Sequence, residues 1–434
     1  MTIDNVLKAL SSDETHEIFS CLYGTEQKII NEQKKRYSDL IEIFRNRFGD
    51  MDVQVFSSPG RTEIGGNHTD HNHGKVLAAS VQLDCIAVVA YAADGLVHIC
   101  DSKYNEDFII DTGDISPPNS EKGAYALIRG IIEGFKKEKL KIGGFYACIT
   151  SDVIPASGVS SSASFEMLIC QTINELYNEA AISISKLSCI GQYAENVWWG
   201  KASGLLDQMA CGVGGFVSID FINPDDPLVE KIPFDFSNQG YSLILVNTGG
   251  NHAELSSEYS SIPSEMKQVA GFFSKNTLRD VSIEDIIKNL SELRTRCSDR
   301  AVMRAFHFLE ENLRVSKEIK ALKENDFYKF LSHINDSGNS SWKWLQNVYV
   351  PSDSIQKQSV SISLALTEIF ISQRGLIGKA ACRIHGGGFA GVIQVFLPHE
   401  QVDAYKKWMI EALHVKDNPV FVMSIRPYGV IKVI

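Results

Sequence analysis

Two periodicities of apolar residues alternate along this chain of 434 residues, and each predicts a different element of secondary structure. Short apolar runs rich in valine, isoleucine and alanine are typical of buried strands. They lie at 53–56, 76–91, 144–150, 216–220, 241–247 and 392–396. Apolar residues at helical spacing lie at 1–50, 123–139, 165–177, 184–200 and 400–413, with four more such stretches between 263 and 375. This mixed order predicts an α+β protein with two lobes and a cleft between them.

The length of the chain also predicts more than one domain, because a single hydrophobic core rarely grows beyond about 250–300 residues. We divide the sequence into a helical N-terminal extension, an N-terminal lobe and a C-terminal lobe, with limits at 1–50, 51–220 and 221–434. The turn-rich segment 223–227 follows the strand at the boundary between the lobes. The extension carries no recognisable chemical motif.

Composition and charge limit the classes of function. Hydrophobic residues make up 44% of the chain and charged residues 22%, as in ordinary globular proteins. The 53 acidic residues outnumber the 42 basic ones, so the net charge of −11 argues against nucleic acids and anionic membranes as partners. Nine cysteines lack a C-x-x-C spacing, and the first residues lack the pattern of a signal peptide. We therefore expect free thiols, a cytoplasmic location, no membrane span and a monomer.

The segment Pro59–Gly74 has the composition of a small-molecule site. It places Arg61, three histidines, an aspartate and several glycines between two strand-like runs. Glycines let the backbone approach a ligand closely, and the polar side chains offer donors and acceptors to hydroxyl groups. A polar connection with solvated histidines is the alternative for this segment taken alone.

A second segment, 151–164, predicts a phosphate site. Gly158 and a run of hydroxyl residues that includes Ser160, Ser161 and Ser162 precede the helical pattern at 165–177. Unpaired backbone N–H groups and the positive end of the helix dipole favour an anion at such a place. An ordinary N-cap needs only one hydroxyl group, so the additional serines favour a ligand.

Two common nucleotide-binding signatures are absent from the sequence. Gly378-Lys379 is followed by Ala380, and Gly375 is too near to that lysine for a P-loop. The H-R-D and D-F-G motifs of protein kinases are missing as well. Both classes of nucleotide-binding protein are therefore excluded.

A third, glycine-rich segment at 382–391 completes a resemblance to a known family. Together, 59–74, 151–164 and 382–391 resemble the three signature motifs of the sugar, homoserine, mevalonate and phosphomevalonate kinase superfamily, and their details are most similar to galactokinases. Further similarities lie at 194–195, at 204–208 with the pattern G-x-x-D-Q, at the sugar-side loop 247–259 and at the helix 304–311. The resemblance implies a two-lobed small-molecule kinase fold with its active site in the cleft between the lobes.

The resemblance also implies an activity, the transfer of phosphate from ATP to the 1-hydroxyl group of a sugar, most closely galactose. Such a transfer needs a positioned acceptor, groups that bind the phosphates and a metal, and a group that handles the proton of the acceptor. Asp207 would accept this proton or anchor the charge, while Arg61 would keep it ionised. An Arg–Asp ion pair that only holds the lobes together is the alternative.

Further site residues are implied in the same way. Gly158, Ser160, Ser161, Ser162 and Ala163 would bind ATP. Mg²⁺ needs few protein oxygens, and Ser162 and Glu195 would supply them. A glutamate on a solvated helix face is the alternative for Glu195. The residues that would contact the sugar are Asn67, His68, Asp70, Tyr259 and Gly387.

Asn67 departs from the pattern, because galactokinases usually have glutamate immediately before His-x-Asp. An amide tolerates a substrate carboxylate that a glutamate would repel, so galacturonate is an alternative acceptor to galactose. A non-catalytic sugar sensor with the same fold is an alternative from another class. The presence of Ser162, Ala163 and Asp207 favours an enzyme.

Overall fold

The computed structural model describes residues 1–113, 122–154, 158–201, 203–224, 226–249, 256–350, 358–415 and 418–434. Parts of three predicted segments, at 155–157, 225 and 250–255, lie outside these residues. The chain forms two compact units. Unit 1 contains residues 1–61, 79–215 and 425–434, and unit 2 contains residues 62–78 and 216–424.

Helices and strands are mixed throughout the described residues. The helices are α1 (Ile3–Ala9), α2 (Asp13–Tyr23), α3 (Gln27–Phe48), α4 (Ala124–Lys137), α5 (Ser161–Tyr177), α6 (Ile184–Tyr193), α7 (Leu206–Val213), α8 (Ser256–Phe272), α9 (Ile283–Lys288), α10 (Leu290–Arg296), α11 (Asp299–Lys323), α12 (Phe327–Ser340), α13 (Ser359–Gln373) and α14 (Val402–Leu413). The strands are β1 (Gln54–Gly65), β2 (Lys75–Ala92), β3 (Leu96–Asp101), β4 (Glu106–Asp111), β5 (Gly144–Ser151), β6 (Phe216–Asp220), β7 (Leu228–Ile232), β8 (Tyr241–Asn247), β9 (Ala381–His385), β10 (Val392–Pro398), β11 (Val420–Met423) and β12 (Ile431–Lys432). The predicted α+β class is confirmed.

Unit 1 is built on a sheet with the strand order β12-β1-β2-β5-β3-β4. Strand β2 is antiparallel to β5 and carries apolar residues on both faces, which is the pattern of a sheet covered on two sides. Ala87 and Val89 pack in a core with helices α4 to α6, and Ile86 and Val88 pack in a second core with α2 and α3. The helices predicted within residues 1–50 therefore form and cover one face of this sheet.

A buried ionic cluster around Asp84 ties the parts of unit 1 together. The carboxylate of Asp84 is fully buried and lies 2.7 Å from Arg36 of α3 and 3.1 Å from Arg426 of the C-terminal segment. It also accepts a hydrogen bond of 2.6 Å from the hydroxyl of Tyr23. Burial alone would raise the pKa of Asp84, but the two guanidinium groups outweigh it and lower the pKa.

Unit 2 contains an antiparallel sheet with the order β11-β8-β10-β9. Helices α13 and α14 pack on this sheet around Tyr405, and a separate core around Phe308 joins α8 and α11. The sequence predicted four helical stretches between 263 and 375, whereas the described residues there form six helices. The difference comes from α9 and α10, which are only 6 and 7 residues long and too short for a periodicity to be recognised. None of the described helices combines the length and the apolar character that crossing a membrane requires.

Candidate active site

Arg61 and Asp207 form a close ion pair in unit 1. Both Nε and Nη2 of Arg61 lie 2.7 Å from Oδ1 of Asp207. Arg61 is the last residue of unit 1 on β1, and Asp207 lies in the first turn of α7. Burial alone would raise the pKa of Asp207, but Arg61 and the hydroxyl of Ser160 outweigh it and lower the pKa. Asp207 is therefore ionised at neutral pH.

Ser160 connects this pair to the start of α5. Its backbone has a φ of 54°, in the left-handed region that non-glycine residues rarely adopt. Its hydroxyl donates to Oδ2 of Asp207, and its oxygen accepts no hydrogen bond from the first turn of α5. Ser160 is therefore the N-cap residue by position, but its side chain does not cap the helix. The carbonyl of Gly158 accepts a hydrogen bond from Nη1 of Arg61, which joins the same cluster.

Ser162 and Glu195 meet beside this cluster. The hydroxyl of Ser162 donates to Oε1 of Glu195 over 2.8 Å, and Glu195 is fully buried. The solvated-helix alternative for Glu195 is therefore wrong. Its position depends on a change of helix type, because α6 ends at Tyr193 and a π-helical turn follows over Ala194–Trp199. Such π-helical turns are rare and often occur at functional sites.

Glu195 is held from the other side by a buried polar network. Nε2 of Gln208 donates to Oε2 of Glu195 over 3.1 Å and to Oε2 of Glu166 over 2.7 Å. Burial and the charge of Glu195 raise the pKa of Glu166 well above its ordinary value, which favours its neutral form. Within the described part of the chain, Oε1 of Glu166 and Oε1 of Gln208 lack hydrogen-bond partners. Sequence reasoning did not find Glu166.

Two other predicted ATP-binding residues lie in the first turn of α5. Ser161 is its first residue and is partly exposed. Ala163 is fully buried, and its side chain packs in the hydrophobic core.

Four of the predicted sugar residues lie together in unit 2. Nε2 of His68 donates to the carbonyl of Gly387 over 2.7 Å, and the ring of Tyr259 lies 5.0 Å from that of His68 between centroids. A side chain at position 387 would collide with this ring, since a Cβ atom there would lie 2.3 Å from Cε2 of Tyr259. Asp70 lies in the next turn and accepts a hydrogen bond from the backbone of His71.

His68 is fixed as a neutral hydrogen-bonding group. Burial lowers the pKa of His68 to about 3. Because Nε2 carries the proton donated to Gly387, Nδ1 is an acceptor, and it has no partner among the described residues. This buried nitrogen is therefore an unsatisfied acceptor.

Asn67 is fully buried in the same unit, and protein groups satisfy its side chain. Its amide nitrogen donates to the carbonyl of Gly386 over 2.6 Å and to Oε1 of Glu63 over 3.1 Å. Its amide oxygen accepts hydrogen bonds from Asn347 over 2.7 Å and from Ser341 over 3.3 Å. The side chain of Asn67 therefore holds neighbouring protein groups of unit 2 in place, including the carbonyl of Gly386.

Arg383 balances the charge of Glu63. Nη2 of Arg383 lies 2.5 Å from Oε1 of Glu63, and the Arg383 side chain is fully buried. Gln394 and His385 hold the adjacent backbone of Glu63. Neither Glu63 nor Arg383 was assigned a role from the sequence, because their contact joins residues 320 positions apart.

Glu318 provides a further buried carboxyl group in unit 2. Both oxygens of Glu318, on α11, lack a hydrogen-bond partner among the described residues, and the residue is fully buried. Gly65 faces this group, and a Cβ atom at position 65 would lie 1.9 Å from Oε2 of Glu318. Burial and the charge of Glu311 raise the pKa of Glu318 to about 8.

Comparison with known proteins decides the family. Residues 42–91 match the galactokinase galactose-binding signature, and residues 126–215 match the N-terminal domain of GHMP kinases. The galactokinase of Glaesserella parasuis is 30% identical over 371 residues, which cover 85% of this chain and 91% of that protein. The chain belongs to the galactokinase family. The galactokinase of Haemophilus influenzae strain PittEE is 28% identical over 372 residues, with 84% of this chain and 91% of that protein covered.

Solved structures of related kinases have the same fold as this chain. The crystal structure of Lactococcus lactis galactokinase complexed with galactose matches with a TM-score of 0.76 and 25% identity, and covers 92% of this chain and 100% of that one. Mevalonate kinase of Methanococcus jannaschii shares the fold, with a TM-score of 0.58 and 14% identity. As a member of the galactokinase family, the chain is a phosphotransferase with a hydroxyl acceptor that uses ATP.

Proposed function

We propose that the protein transfers the γ-phosphoryl group of ATP to the 1-hydroxyl group of galactose. In this reaction the sugar oxygen forms a bond to the γ-phosphorus, the bond to the β–γ bridging oxygen breaks, and ADP leaves. The observation that carries the proposal is the cluster of Arg61, Ser160 and Asp207 beside the uncapped start of α5. It places an ionised carboxylate, a guanidinium group and a helix N-terminus together, as phosphoryl transfer requires.

Asp207 receives the proton of the sugar hydroxyl in this proposal. Because its pKa is lowered, Asp207 is a weak base and does not deprotonate the sugar hydroxyl before the transfer begins. Its negative charge instead stabilises the proton as this proton leaves the sugar oxygen during the transfer. Arg61 is bound to Asp207 through Nε and Nη2, and its charge offsets negative charge that grows on the transferred group.

The start of α5 would bind the phosphates of ATP. The helix has 17 residues, no side-chain cap, and a left-handed residue at its N-cap that turns the chain sharply. Backbone N–H groups and the helix dipole favour phosphate at such an end. Gly158, Ser161, Ser162 and Ala163 would line it.

Ser162 and Glu195 fit a magnesium ion. Their oxygens lie 2.8 Å apart, one from a hydroxyl and one from a carboxylate, which are ligands that Mg²⁺ accepts. A cation is already attracted there, because the ammonium of Lys201 lies 2.5 Å from Oε1 of Glu195. Bound Mg²⁺ would neutralise charge on the phosphates during transfer.

The cluster in unit 2 would recognise the sugar. His68 offers Nδ1 as an acceptor, Asp70 offers a carboxylate, and Tyr259 is 37% exposed and offers a phenol hydroxyl. Such a mixture suits the hydroxyl groups of a neutral sugar ring. Asn67 would act on the sugar through the carbonyl of Gly386, which it holds.

The surroundings of Glu63 favour galactose over galacturonate. A galacturonate carboxylate would need a cation, and Arg383 is fully buried and already paired with Glu63. The contact between Ser162 and Glu195, together with the ionised Asp207 beside Arg61, favours an enzyme over a sugar sensor.

A panel assay tests the proposal. The purified protein is given Mg·ATP with galactose, galacturonate, glucose or buffer, ADP release is followed by a coupled assay, and the product is identified by ³¹P NMR. We expect the highest kcat/KM with galactose and a sugar 1-phosphate as product. A higher kcat/KM with galacturonate overturns the proposed acceptor, and galactose binding without turnover overturns the enzyme.

We further infer a monomer in the cytoplasm, in line with the excess of acidic residues and with buried cysteines such as Cys85, Cys148 and Cys170. Light scattering after size-exclusion chromatography tests the monomer, and a mass twice that of the 48.1 kDa chain would contradict it.

A further inference from the structure

The side chain of Lys201 occupies the place proposed for the metal. Its Nζ lies 2.5 Å from Oε1 of Glu195 and 3.4 Å from Oγ of Ser162. These are the same two oxygens that the proposed function assigns to Mg²⁺. No sequence motif singles out this lysine, which lies in the segment between the π-helical turn and α7.

Local backbone geometry directs Lys201 to this position. The π-helical turn ends at Gly200, whose φ of 74° lies in the left-handed region and reverses the chain. The N–H group of Lys201 then donates to the carbonyl of Glu195 over 3.0 Å. The ammonium also lies 5.3 Å from the centroid of the Trp199 ring, within the range of a cation–π contact.

We propose that Lys201 is an internal counter-ion that holds the divalent-cation position until the metal binds, so that metal entry displaces an ammonium group. This inference rests on the proposed function, in which Ser162 and Glu195 hold Mg²⁺. Lys201 is therefore a positioning residue that sets the affinity of the protein for the metal.

Electrostatics explains why such a counter-ion is needed. Glu195 is fully buried, and an unpaired buried carboxylate is costly. Gln208 donates to Oε2 of Glu195 and Ser162 to Oε1, but both donors are neutral, so the charge of the carboxylate still needs a cation. Two cations cannot share Oε1 at contact distance without strong repulsion. The Lys201 side chain is 51% exposed, so the ammonium can withdraw into water when a metal arrives.

The test measures metal binding to the nucleotide-free protein. Binding of Mn²⁺, as a spectroscopic substitute for Mg²⁺, is followed by electron paramagnetic resonance for wild type, Lys201→Met and Lys186→Met. Lys186 provides a matched control, because it forms an exposed ion pair of 2.6 Å with Glu138 in the same unit. We expect Lys201→Met to bind Mn²⁺ at least about tenfold more tightly than wild type, a difference of about 1.4 kcal/mol, and Lys186→Met to match wild type.

Thermal unfolding gives a second readout that does not depend on activity. In EDTA we expect Lys201→Met to have a lower Tm than wild type, because Glu195 loses its counter-ion, and Mg²⁺ should raise this Tm more than that of wild type. Lys201→Gln keeps a hydrogen-bond donor and replaces Lys201→Met in this test if the latter folds poorly. Mg²⁺ should raise the Tm of Lys201→Gln more than that of wild type as well.

Three outcomes overturn the inference. They are equal Mn²⁺ affinity in wild type and Lys201→Met, an equal rise of Tm with Mg²⁺ in both, and a gain in affinity that persists in Lys201→Met/Glu195→Gln. Failure of the proposed function is distinguishable, because Glu195→Gln alone would then keep the wild-type dependence of activity on Mg²⁺. A loss of that dependence in Glu195→Gln together with equal Mn²⁺ affinities overturns only the role of Lys201.

Discussion

The side-chain amide of Asn67 donates a hydrogen bond of 3.1 Å to the carboxylate of Glu63. Galactokinases usually have glutamate at the position of Asn67, so this family member lacks a carboxylate there. Glu63 provides one in contact with the same position. A carboxylate therefore stands next to the amide at position 67, and Arg383 balances its charge.

Exchanging the two residues tests this relationship. Asn67→Glu removes both amide donors and places a second buried carboxylate beside Glu63, so we expect a loss of roughly 2–5 kcal/mol in the free energy of unfolding. The double variant Glu63→Asn/Asn67→Glu restores one amide and one carboxylate and should recover at least half of that loss. Chemical denaturation measures both, with Asn339→Glu on the exposed face of α12 as control. Additive effects of the two substitutions would contradict the coupling.

Asp207→Asn tests the transfer site. The substitution removes the charge that Arg61 and Ser160 surround, and we expect kcat to fall by at least about a hundredfold while the fold is kept. Asp152→Asn serves as control, because Asp152 also pairs with an arginine, Arg36 at 3.2 Å, but is 45% exposed. Near-normal turnover of a folded Asp207→Asn protein would remove Asp207 from the mechanism.

The pH dependence of kcat gives a related prediction. Because the pKa of Asp207 lies below its ordinary value, this group stays ionised as the pH falls to about 5. We therefore expect no loss of kcat from its protonation between about pH 7 and pH 5. Ser160→Ala removes one hydrogen bond to the carboxylate and should raise the pH at which acid inactivation begins. A shift in the opposite direction would count against this role of Ser160.

The metal ligands are tested by titration with Mg²⁺. Ser162→Ala removes a hydroxyl oxygen and Glu195→Gln removes a charge, so each should increase the Mg²⁺ concentration needed for half-maximal activity. The increase should be larger for Glu195→Gln, because a charge attracts a divalent cation more strongly than a hydroxyl group does. Titration curves that coincide with wild type for both variants would show that neither residue is a ligand.

Glu318 predicts a dependence of stability on pH. Its pKa of about 8 in the folded state exceeds the value of about 4.3 expected in the unfolded chain. Between these values the folded state binds one more proton, so stability is greatest at the acid end and falls as the pH rises towards 8. The slope is at most about 1.4 kcal/mol per pH unit.

Glu318→Gln should remove this slope and make the variant more stable than wild type at pH 8. Urea denaturation at several pH values measures the effect. Glu324→Gln, at an exposed residue just after α11, should keep the wild-type slope. A variant of Glu318 whose stability falls with pH as steeply as wild type would assign the slope to another group.

The sequence predicted elements and motifs better than their contacts. The helix expected at 165–177 is α5, which begins at Ser161, and the segment around Arg61 does contain the residues that meet Asp207. Local patterns carry this information, because periodicity and turn chemistry depend on neighbours in the chain. The change to a π-helical turn after Tyr193 left no local signal that we recognised, although it positions Glu195.

The supporting residues were missed for a different reason. Glu166 meets Gln208 across 42 positions, and Glu63 meets Arg383 across 320. A buried charged residue has the same appearance in a sequence as an exposed one, and only its distant partner distinguishes the two. Lys201 was missed although Glu195 is only six positions away, because their contact depends on the left-handed backbone of Gly200.

The C-terminal strand has a consequence for synthesis on the ribosome. Residues 425–434 belong to unit 1, although about two hundred residues of unit 2 separate them from Gly215. At roughly 5–20 residues per second, translation takes about 10–40 s to cross that interval. During this time the nascent unit 1 has an unpaired edge on β1, and Asp84 lacks Arg426. Unit 1 can therefore complete its sheet and its buried ionic cluster only after the whole of unit 2 has been synthesised.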